Sequence, residues 1–425
     1  MSNPTAEHVR LDQDRKKQVA WKKWGPYLSE RQWGTVREDY SANGDAWNYF
    51  THDQARSRAY RWGEDGLGGV CDDQQLLCFA LALWNEKDPI LKERLFGLTN
   101  SEGNHGEDVK EYYFYVDSTP THSYMRYLYK YPQRAYPYDD LVATNKKRTR
   151  HDLEYELIDT GIFDDDRYFD IFVEYAKDAA DDILIRITIF NRGPEDESLH
   201  LLPTLWYRNT WSWMPGSVKP DMTALNNSPT LAIRATHPTL GNYYLVCEGA
   251  DQLLFTENET NNERIFGIPN VSPYVKDCIN NYIVHQQKFA VNPAQRGTKA
   301  AAHYLLAVPA HGSASVRLRL SNAQPVAVAK NSSFVAKTID ALIDRRKQEA
   351  DAFYATIIPD KATPDQALVM RQALAGMLWT KQHYIYDVYS WLHVDDTTAE
   401  RPRNDAWVHL STADVISMPD KWEYP

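Results

Sequence analysis

The chain has 425 residues, 43% hydrophobic and 25% charged, with 47 basic against 58 acidic side chains and a net charge of −11. That length supports two or more domains with substantial cores. The acidic balance, with no basic block beyond Lys146-Lys-Arg-Thr-Arg150, excludes the phosphate-neutralising surface that a nucleic-acid partner needs. No apolar run approaches a membrane span and Met1 to Gln18 has no apolar leader core, so no membrane partner is expected and the cytoplasm is the default location.

In chain order, a basic helical start is expected around Asp12 to Trp24, followed by an aromatic, loop-rich stretch with Trp33, Tyr40, Trp47 and Tyr49. Gly63-Glu-Asp-Gly-Leu-Gly-Gly69 is rich in glycine but lacks the spacing and preceding strand of a phosphate or dinucleotide cradle. Its glycines are read as supplying positive φ in a tight loop, with Glu64 and Asp65 available to face a neighbouring domain. From Asp73 to Trp84, residues Leu76, Leu77, Phe79, Ala80, Leu83 and Trp84 recur at helical spacing behind an aspartate able to cap, which predicts a short buried helix. Residues 1–110 are therefore taken as a mixed segment packing on a β-sandwich that begins at 111.

Between 111 and 322 the hydrophobic period is two. Tyr112–Val116, Tyr124–Tyr131, Tyr155–Ile158, Tyr168–Tyr175, Ile183–Asn191 and Val316–Leu320 are rich in aromatic or β-branched residues and bounded by turn formers. In the third of the longer runs, Ile183, Ile185, Ile187 and Ile189 fall on one face with Arg186 and Thr188 on the other. About eleven such strands with little helix between them predict antiparallel sheets packed face to face, a β-sandwich. Residues 323–360 then form a helical linker, capped by Ser333, with Val335, Ile339, Leu342, Ala350 and Phe353 as its apolar stripe and a length of roughly 30 Å. Thr363-Pro-Asp-Gln366 satisfies a capping box with proline at the first helical position, so a second, helical domain is expected over 361–425, carrying Leu374, Leu378 and Ile385 on one side. Left uncovered, that stripe predicts poor solubility unless residues after about Thr356 are removed.

Cys71, Cys78, Cys247 and Cys278 are too scattered for a disulfide framework or a zinc site and read as buried thiols. Glu102, His105, Glu107 and Asp108, like Asp164-Asp-Asp166, match no metal loop and read as hydrated surface. No metal and no cofactor is indicated. Serine-hydrolase, zincin and P-loop signatures do not occur in the sequence.

The last residues, Met418-Pro-Asp-Lys-Trp-Glu-Tyr-Pro425, place Trp422, Glu423 and Tyr424 together with no polar tail after them. Aromatic residues of that size find a packed or ligand-facing home, so the chain reads as part of a longer protein, the alternative being a tail that closes on the core. Aromatic faces able to stack on a pyranose are offered by Tyr386, Trp391, Trp422 and Tyr424, with Asp395, Asp396 and Glu423 as polar partners for its hydroxyls. The structural alternative for each is core packing or a solvated loop.

With these stand Arg61-Trp-Gly-Glu-Asp-Gly66, Cys78-Phe-Ala-Leu-Ala-Leu-Trp-Asn85, Lys92-Glu-Arg-Leu-Phe-Gly-Leu-Thr99 and Asn104-His-Gly-Glu-Asp-Val-Lys-Glu-Tyr-Tyr-Phe-Tyr115. Leu202-Pro-Thr-Leu-Trp-Tyr-Arg-Asn-Thr-Trp-Ser-Trp213, Gly376-Met-Leu-Trp-Thr-Lys-Gln-His-Tyr384 and Trp422-Glu-Tyr-Pro425 complete the set. Together these stretches resemble glycoside hydrolase family 63, in particular bacterial glucosidase-like proteins related to mannosylglycerate hydrolase. The resemblance implies a supersandwich, the linker, and the first helix of an incomplete (α/α)6 barrel whose remainder would be the chain's partner in the full-length protein. It also implies an inverting α-glucosidase acting on a carbohydrate substrate, its general acid and base both lying beyond Pro425, so that this fragment alone is inactive. Inverting hydrolysis needs two carboxyl groups some 6.5–9.5 Å apart. An inverting disaccharide phosphorylase of similar layout and a non-catalytic carbohydrate-binding module remain as alternatives.

Overall fold

A computed structural model describes residues 4–34, 51–60, 63–99, 101–104, 108–212, 216–225, 230–325 and 332–381, with side chains in the last stretch from 338 onward. The elements before residue 133 are α1 (Ala6–Arg15), β1 (Trp24–Gly25), α2 (His52–Ala55), β2 (Leu67–Asp72), β3 (Leu77–Trp84), β4 (Gly97–Leu98), β5 (Asp108–Val109), β6 (Tyr113–Ser118) and β7 (Tyr124–Pro132). Then come α3 (Tyr138–Asn145), β8 (Tyr168–Ala179), β9 (Asp182–Asn191), β10 (Glu197–Tyr207), β11 (Asp221–Ala224), β12 (Leu231–His237), β13 (Gly241–Cys247) and β14 (Gln252–Thr256). The last are α4 (Asn262–Phe266), α5 (Cys278–Ile283), β15 (Arg296–Gly297), β16 (Lys299–Val308), β17 (Ser313–Ser321), α6 (Ser332–Tyr354) and α7 (Pro364–Trp379).

The strands form two large antiparallel sheets, as the period-two pattern predicts. One has the order β1-β2-β3-β10-β16-β14 and the other β15-β11-β12-β13-β17-β9-β8-β7-β6, with β4 and β5 pairing separately. Their inner faces share one core: Leu77, Phe79, Leu81 and Leu83 of β3 meet Tyr127, Tyr129 and Tyr131 of β7 and Ile171, Val173 and Tyr175 of β8. Ile183, Ile185, Ile187 and Ile189 lie in that core, at most 2% exposed. On the opposite face of β9, Arg186 binds Glu174 and reaches Asp340 of α6.

Three expected elements differ. The helical start expected around Asp12 to Trp24 is α1, Ala6–Arg15, begun early by the Thr5 cap and ended before Lys17, whose φ is 55°, with only a 3-10 turn at Trp21–Lys23. The helix predicted over Asp73–Trp84 is the strand β3, and every one of its eight residues is buried. A central strand covered on both faces loses its polar alternation, and the remaining apolar run fits helical spacing by accident. β3 pairs along its length with β10, so residues before 111 build three strands of the six-stranded sheet. Tyr155–Ile158 is not a strand: Glu156 and Asp159 cap each other across the 3-10 turn Leu157–Thr160, which ends in Gly161 at φ 70°.

The helix after the sandwich does not stand free as a spacer. Ile339, Leu342, Ile343 and Ala350 of α6 pack on Tyr124, Ala176 and Leu184, covering the outer face of the nine-stranded sheet. The capping box at Thr363 forms as expected, with Gln366 reciprocating. From it α7 runs onto the edge strand β6, where Trp379, 2% exposed, joins the main core. Leu374 and Leu378 are only half-buried. Ala375 and Trp379 carry the docking face instead.

Candidate functional site

The outer face of the six-stranded sheet carries small residues at its centre. Along β3 and β10 the side chains that point away from the core are Cys78, Ala80, Ala82 and Leu202, Thr204, Trp206. Onto this floor fold the loop before β2, the segment after β3, and the stretch around α5. Gly66 makes the first approach possible, because a Cβ there would lie 2.5 Å from the Ala80 Cβ and 3.2 Å from the Trp206 ring. In Gly63–Gly69 only Gly68 has positive φ, at 57°, and its carbonyl accepts from the Tyr175 hydroxyl at 2.6 Å. The glycines thus serve close packing more than turning.

What assembles above the floor is a buried cluster of three carboxylates, Glu64, Asp65 and Glu93, and three cations, Arg94, Lys276 and Lys299. Glu64 and Asp65 are 1% and 5% exposed, so the acidic pair turns inward and does not face out toward a neighbouring domain. The cluster is wired through specific contacts. Arg94 Nε donates to Asp65 at 3.4 Å and an Arg94 Nη donates to Glu93 at 2.8 Å. Lys299 binds the two Glu93 oxygens at 3.2 and 3.4 Å. Tyr60 donates to Asp65 at 3.0 Å, and Asn258 donates to Glu64 at 3.1 Å and to the Tyr207 carbonyl at 2.9 Å. Lys276 donates to the Arg58 carbonyl at 2.6 Å while its ammonium lies 4.0 Å from the centre of the Tyr60 ring.

Burying six charges is costly unless each is paired and hydrogen-bonded. Here the signs balance, three carboxylates against three cations. Burial pushes the Glu64 carboxyl up, with Lys276 pulling the other way. Burial likewise pulls Lys276 down against the attraction of Glu64. Burial works to raise Glu93, yet Lys299, Arg94 and Lys276 outweigh it and hold that carboxyl below its usual range. Burial also works against the Arg94 cation, but Tyr60, Asp65 and Glu93 more than offset it.

Between these groups and the floor is a cavity of about 30 Å³. That holds about two water-sized groups and no sugar ring. Two of its lining residues have unsatisfied atoms: Arg94 Nη1 and Asn258 Oδ1 are buried without a hydrogen-bond partner.

The sequence-predicted site residues Tyr386, Trp391, Trp422, Glu423 and Tyr424, with Asp395 and Asp396, lie outside the described residues. So do His105 and Glu107, while Glu102 accepts from the Thr99 amide and hydroxyl, both at 2.9 Å. Among the described residues no group of three or more His, Cys, Asp or Glu could hold a metal ion, no helix is long and apolar enough to cross a membrane, and all four cysteines are free and buried. Sequence reading gave Arg94 no role at a site and did not single out Asn258, Lys276 and Lys299. The one available signal was a charged residue set against an apolar run, as Lys299 is before Ala300, Ala301 and Ala302.

The cavity nevertheless gathers what the sequence had singled out for another reason. Glu64, Asp65 and Gly66 belong to the first stretch of the resemblance, Ala80 and Ala82 to the second, Glu93 and Arg94 to the third, Thr204 and Trp206 to the fifth. The chain is 43% identical over 99% of its length to the uncharacterized protein YMR196W of Saccharomyces cerevisiae, of which it spans 43%. No family model matches it. Among solved structures, a glycoside hydrolase family 92 α-mannosidase from Bacteroides thetaiotaomicron is similar at 10% identity and a TM-score of 0.26, over 79% of this chain and 38% of that one. A galactose mutarotase related enzyme from Lactobacillus acidophilus gives 8% and 0.22, over 64% and 99%. A polysaccharide lyase gives 9% and 0.26, over 59% and 26%.

Proposed function

We propose that this chain is the sandwich and first barrel helix of an inverting glycoside hydrolase resembling family 63, an α-glucosidase acting on oligosaccharides or small glycosides. One observation carries the reading: four stretches of the resemblance, dispersed between residues 61 and 213, converge on a single buried polar cavity. Pairing of β3 with β10 brings two of these stretches together, and the other two add the charged groups Glu64, Asp65, Glu93 and Arg94 above them. The sandwich followed by a capped helix docked on its edge supports the same layout. In this reading the two catalytic carboxyl groups belong to the polypeptide after Pro425, and the described residues supply the wall against which they work. The charge cluster itself is a rigid, neutral support, since every carboxylate in it already has a donor or a nearby cation.

The test uses the full-length protein that contains this chain. Incubated with α-glucosides and followed by proton NMR, it is expected to release β-glucose first, the anomer that a single displacement yields. Release of a sugar phosphate, and only with phosphate present, would assign the protein to the inverting phosphorylases instead. Binding of oligosaccharide with no product from any α-glucoside would leave a carbohydrate-binding module and refute the hydrolase.

A further inference from the structure

The cavity beside Arg94 has a composition that its role as a support does not require. A buried polar atom left unpaired is costly, so a pair of them facing one cavity favours a group that satisfies both. Here Arg94 Nη1, a donor, and Asn258 Oδ1, an acceptor, both lack a partner on side chains that are 2% and 0% exposed. Where the lining meets the sheet beside Lys299 it is Gly66, Ala80, Ala82, the Trp206 ring and Thr204, whose hydroxyl is already committed to the Leu202 carbonyl at 2.9 Å. Of the six charged side chains, Glu93 is the most exposed, at 13%.

A ligand group that fits must be neutral, since the six surrounding charges already balance. It must both accept from Arg94 and donate to Asn258, which a hydroxyl does and a carboxylate, phosphate or ammonium does not. It must also offer one apolar atom to the alanine floor. With about 30 Å³ available, one carbon and one oxygen fill the space. We propose that this cavity is a subsite for the primary-alcohol arm, CH2OH, of a sugar, whose ring stays outside. The hydroxyl receives a hydrogen bond from Arg94 Nη1 and gives one to Asn258 Oδ1, while the methylene rests on Ala80 and Ala82. Without sugar, waters take the space. The inference rests on the carbohydrate reading of the same cavity but not on catalysis.

D-Glucose and D-xylose differ by that arm alone. Titrated against this chain by calorimetry, D-glucose is expected to bind about tenfold more tightly than D-xylose, the discrimination that a site built to pair a hydroxyl imposes. Ala82→Val fills the cavity from its apolar side and leaves every charge in place. In that variant D-glucose binding falls to the level of D-xylose, which is itself unchanged. Arg94→Lys keeps the cation and withdraws Nη1, giving the same loss if the folded state, checked by melting, is kept. Equal affinity for the two sugars, no binding of either, or an undiminished preference in folded Ala82→Val each overturns the subsite. Full-length protein that hydrolyses α-glucosides while showing no preference retains the proposed function and loses this inference alone. A preference without any turnover does the reverse.

Discussion

Truncating Trp379 to alanine tests whether α7 belongs to the sandwich. The indole is 2% exposed, stacks on Tyr115 with centroids 5.4 Å apart at 11°, and lies 5.7 Å from Tyr127. Its Nε1 donates to the Asp117 carbonyl at 2.9 Å, and the neighbouring Arg371 pairs with the Asp117 carboxylate. An indole buries on the order of 200 Å², worth about 5 kcal/mol at ~25 cal/mol per Å². Residual burial in the unfolded chain reduces that, and the lost hydrogen bond adds about 1 kcal/mol, so the substitution costs about 4 kcal/mol. The whole amount appears in global stability only if α7 and the sandwich unfold together; otherwise the loss is limited to the free energy of undocking α7. Hydrogen exchange separates the cases. Trp379→Ala is expected to speed exchange of the β6 amides before those of β9, and to lower the melting temperature. A chain ending at 356 exposes Tyr115 and Tyr127 in the same way, so it should melt below one ending at 381, contrary to the gain in solubility expected from the sequence. Unchanged β6 exchange in Trp379→Ala, or equal melting of the two shortened chains, would refute the docking argument.

Gly66→Ala places a Cβ 2.5 Å from that of Ala80 and is expected to cost about 1–3 kcal/mol by overpacking. Ala80→Gly in the same chain should restore part of it, a coupling readable in a denaturant double-mutant cycle. Lys177 is fully buried and its ammonium donates to the carbonyls of Trp21, Trp24 and Thr121 at 2.5, 2.6 and 3.1 Å. Lys177→Met leaves all three without that donor and is expected to cost about 3 kcal/mol by chemical denaturation, with proteolysis of residues before Gly25 as its first sign. On the six-stranded sheet, Gln252 donates to His303 Nδ1, His303 contacts His200 at 2.8 Å, and His200 contacts Glu86 at 3.1 Å. Burial, then His200 and Lys288, hold His303 down at about 4, with Asp251 opposing. The unfolded chain therefore takes up the proton first, and stability falls as pH drops from about 6.5 toward 4, by on the order of 2 kcal/mol after discounting for partial exposure. His303→Gln should flatten that slope in melting curves recorded across the range.

Strands with one wet face were legible and buried ones were not. β9 announced itself because Arg186 and Thr188 interrupt the isoleucines, and its inner residues lie where alternation put them. β3 has no such interruption: Leu77 to Trp84 is apolar throughout, and only its pairing with β10 tells it from a helix. The capping box at Thr363 was readable because it is local, four residues satisfying their own backbone. The cavity was half legible. Gly63–Gly69 stood out by composition, but the inward turn of Glu64 and Asp65 depends on Arg94, Lys276 and Lys299, which are 29 to 235 residues away in sequence and joined only by the folded sheet.

That dependence bears on how site and fold are joined. Arg94 and Glu93 come from the segment that crosses back over β3, where Lys92 and Leu83 exchange backbone hydrogen bonds of 2.9 Å in both directions. One residue earlier, the buried Lys92 ammonium binds Glu111 at 2.5 Å and lies 4.0 Å from the Tyr136 ring. Glu111 in turn accepts from Tyr129 of β7, a residue of the inter-sheet core. The cavity wall and the packing of the two sheets therefore share one chain of contacts, Arg94 beside Lys92 to Glu111 to Tyr129. A Glu111→Gln change keeps the volume but removes the charge that Lys92 needs, leaving a buried ammonium unpaired at a cost of about 3 kcal/mol or more. If site and core are coupled in this way, the variant loses the proposed D-glucose binding and thermal stability together; loss of stability with binding untouched would place the cavity outside that chain.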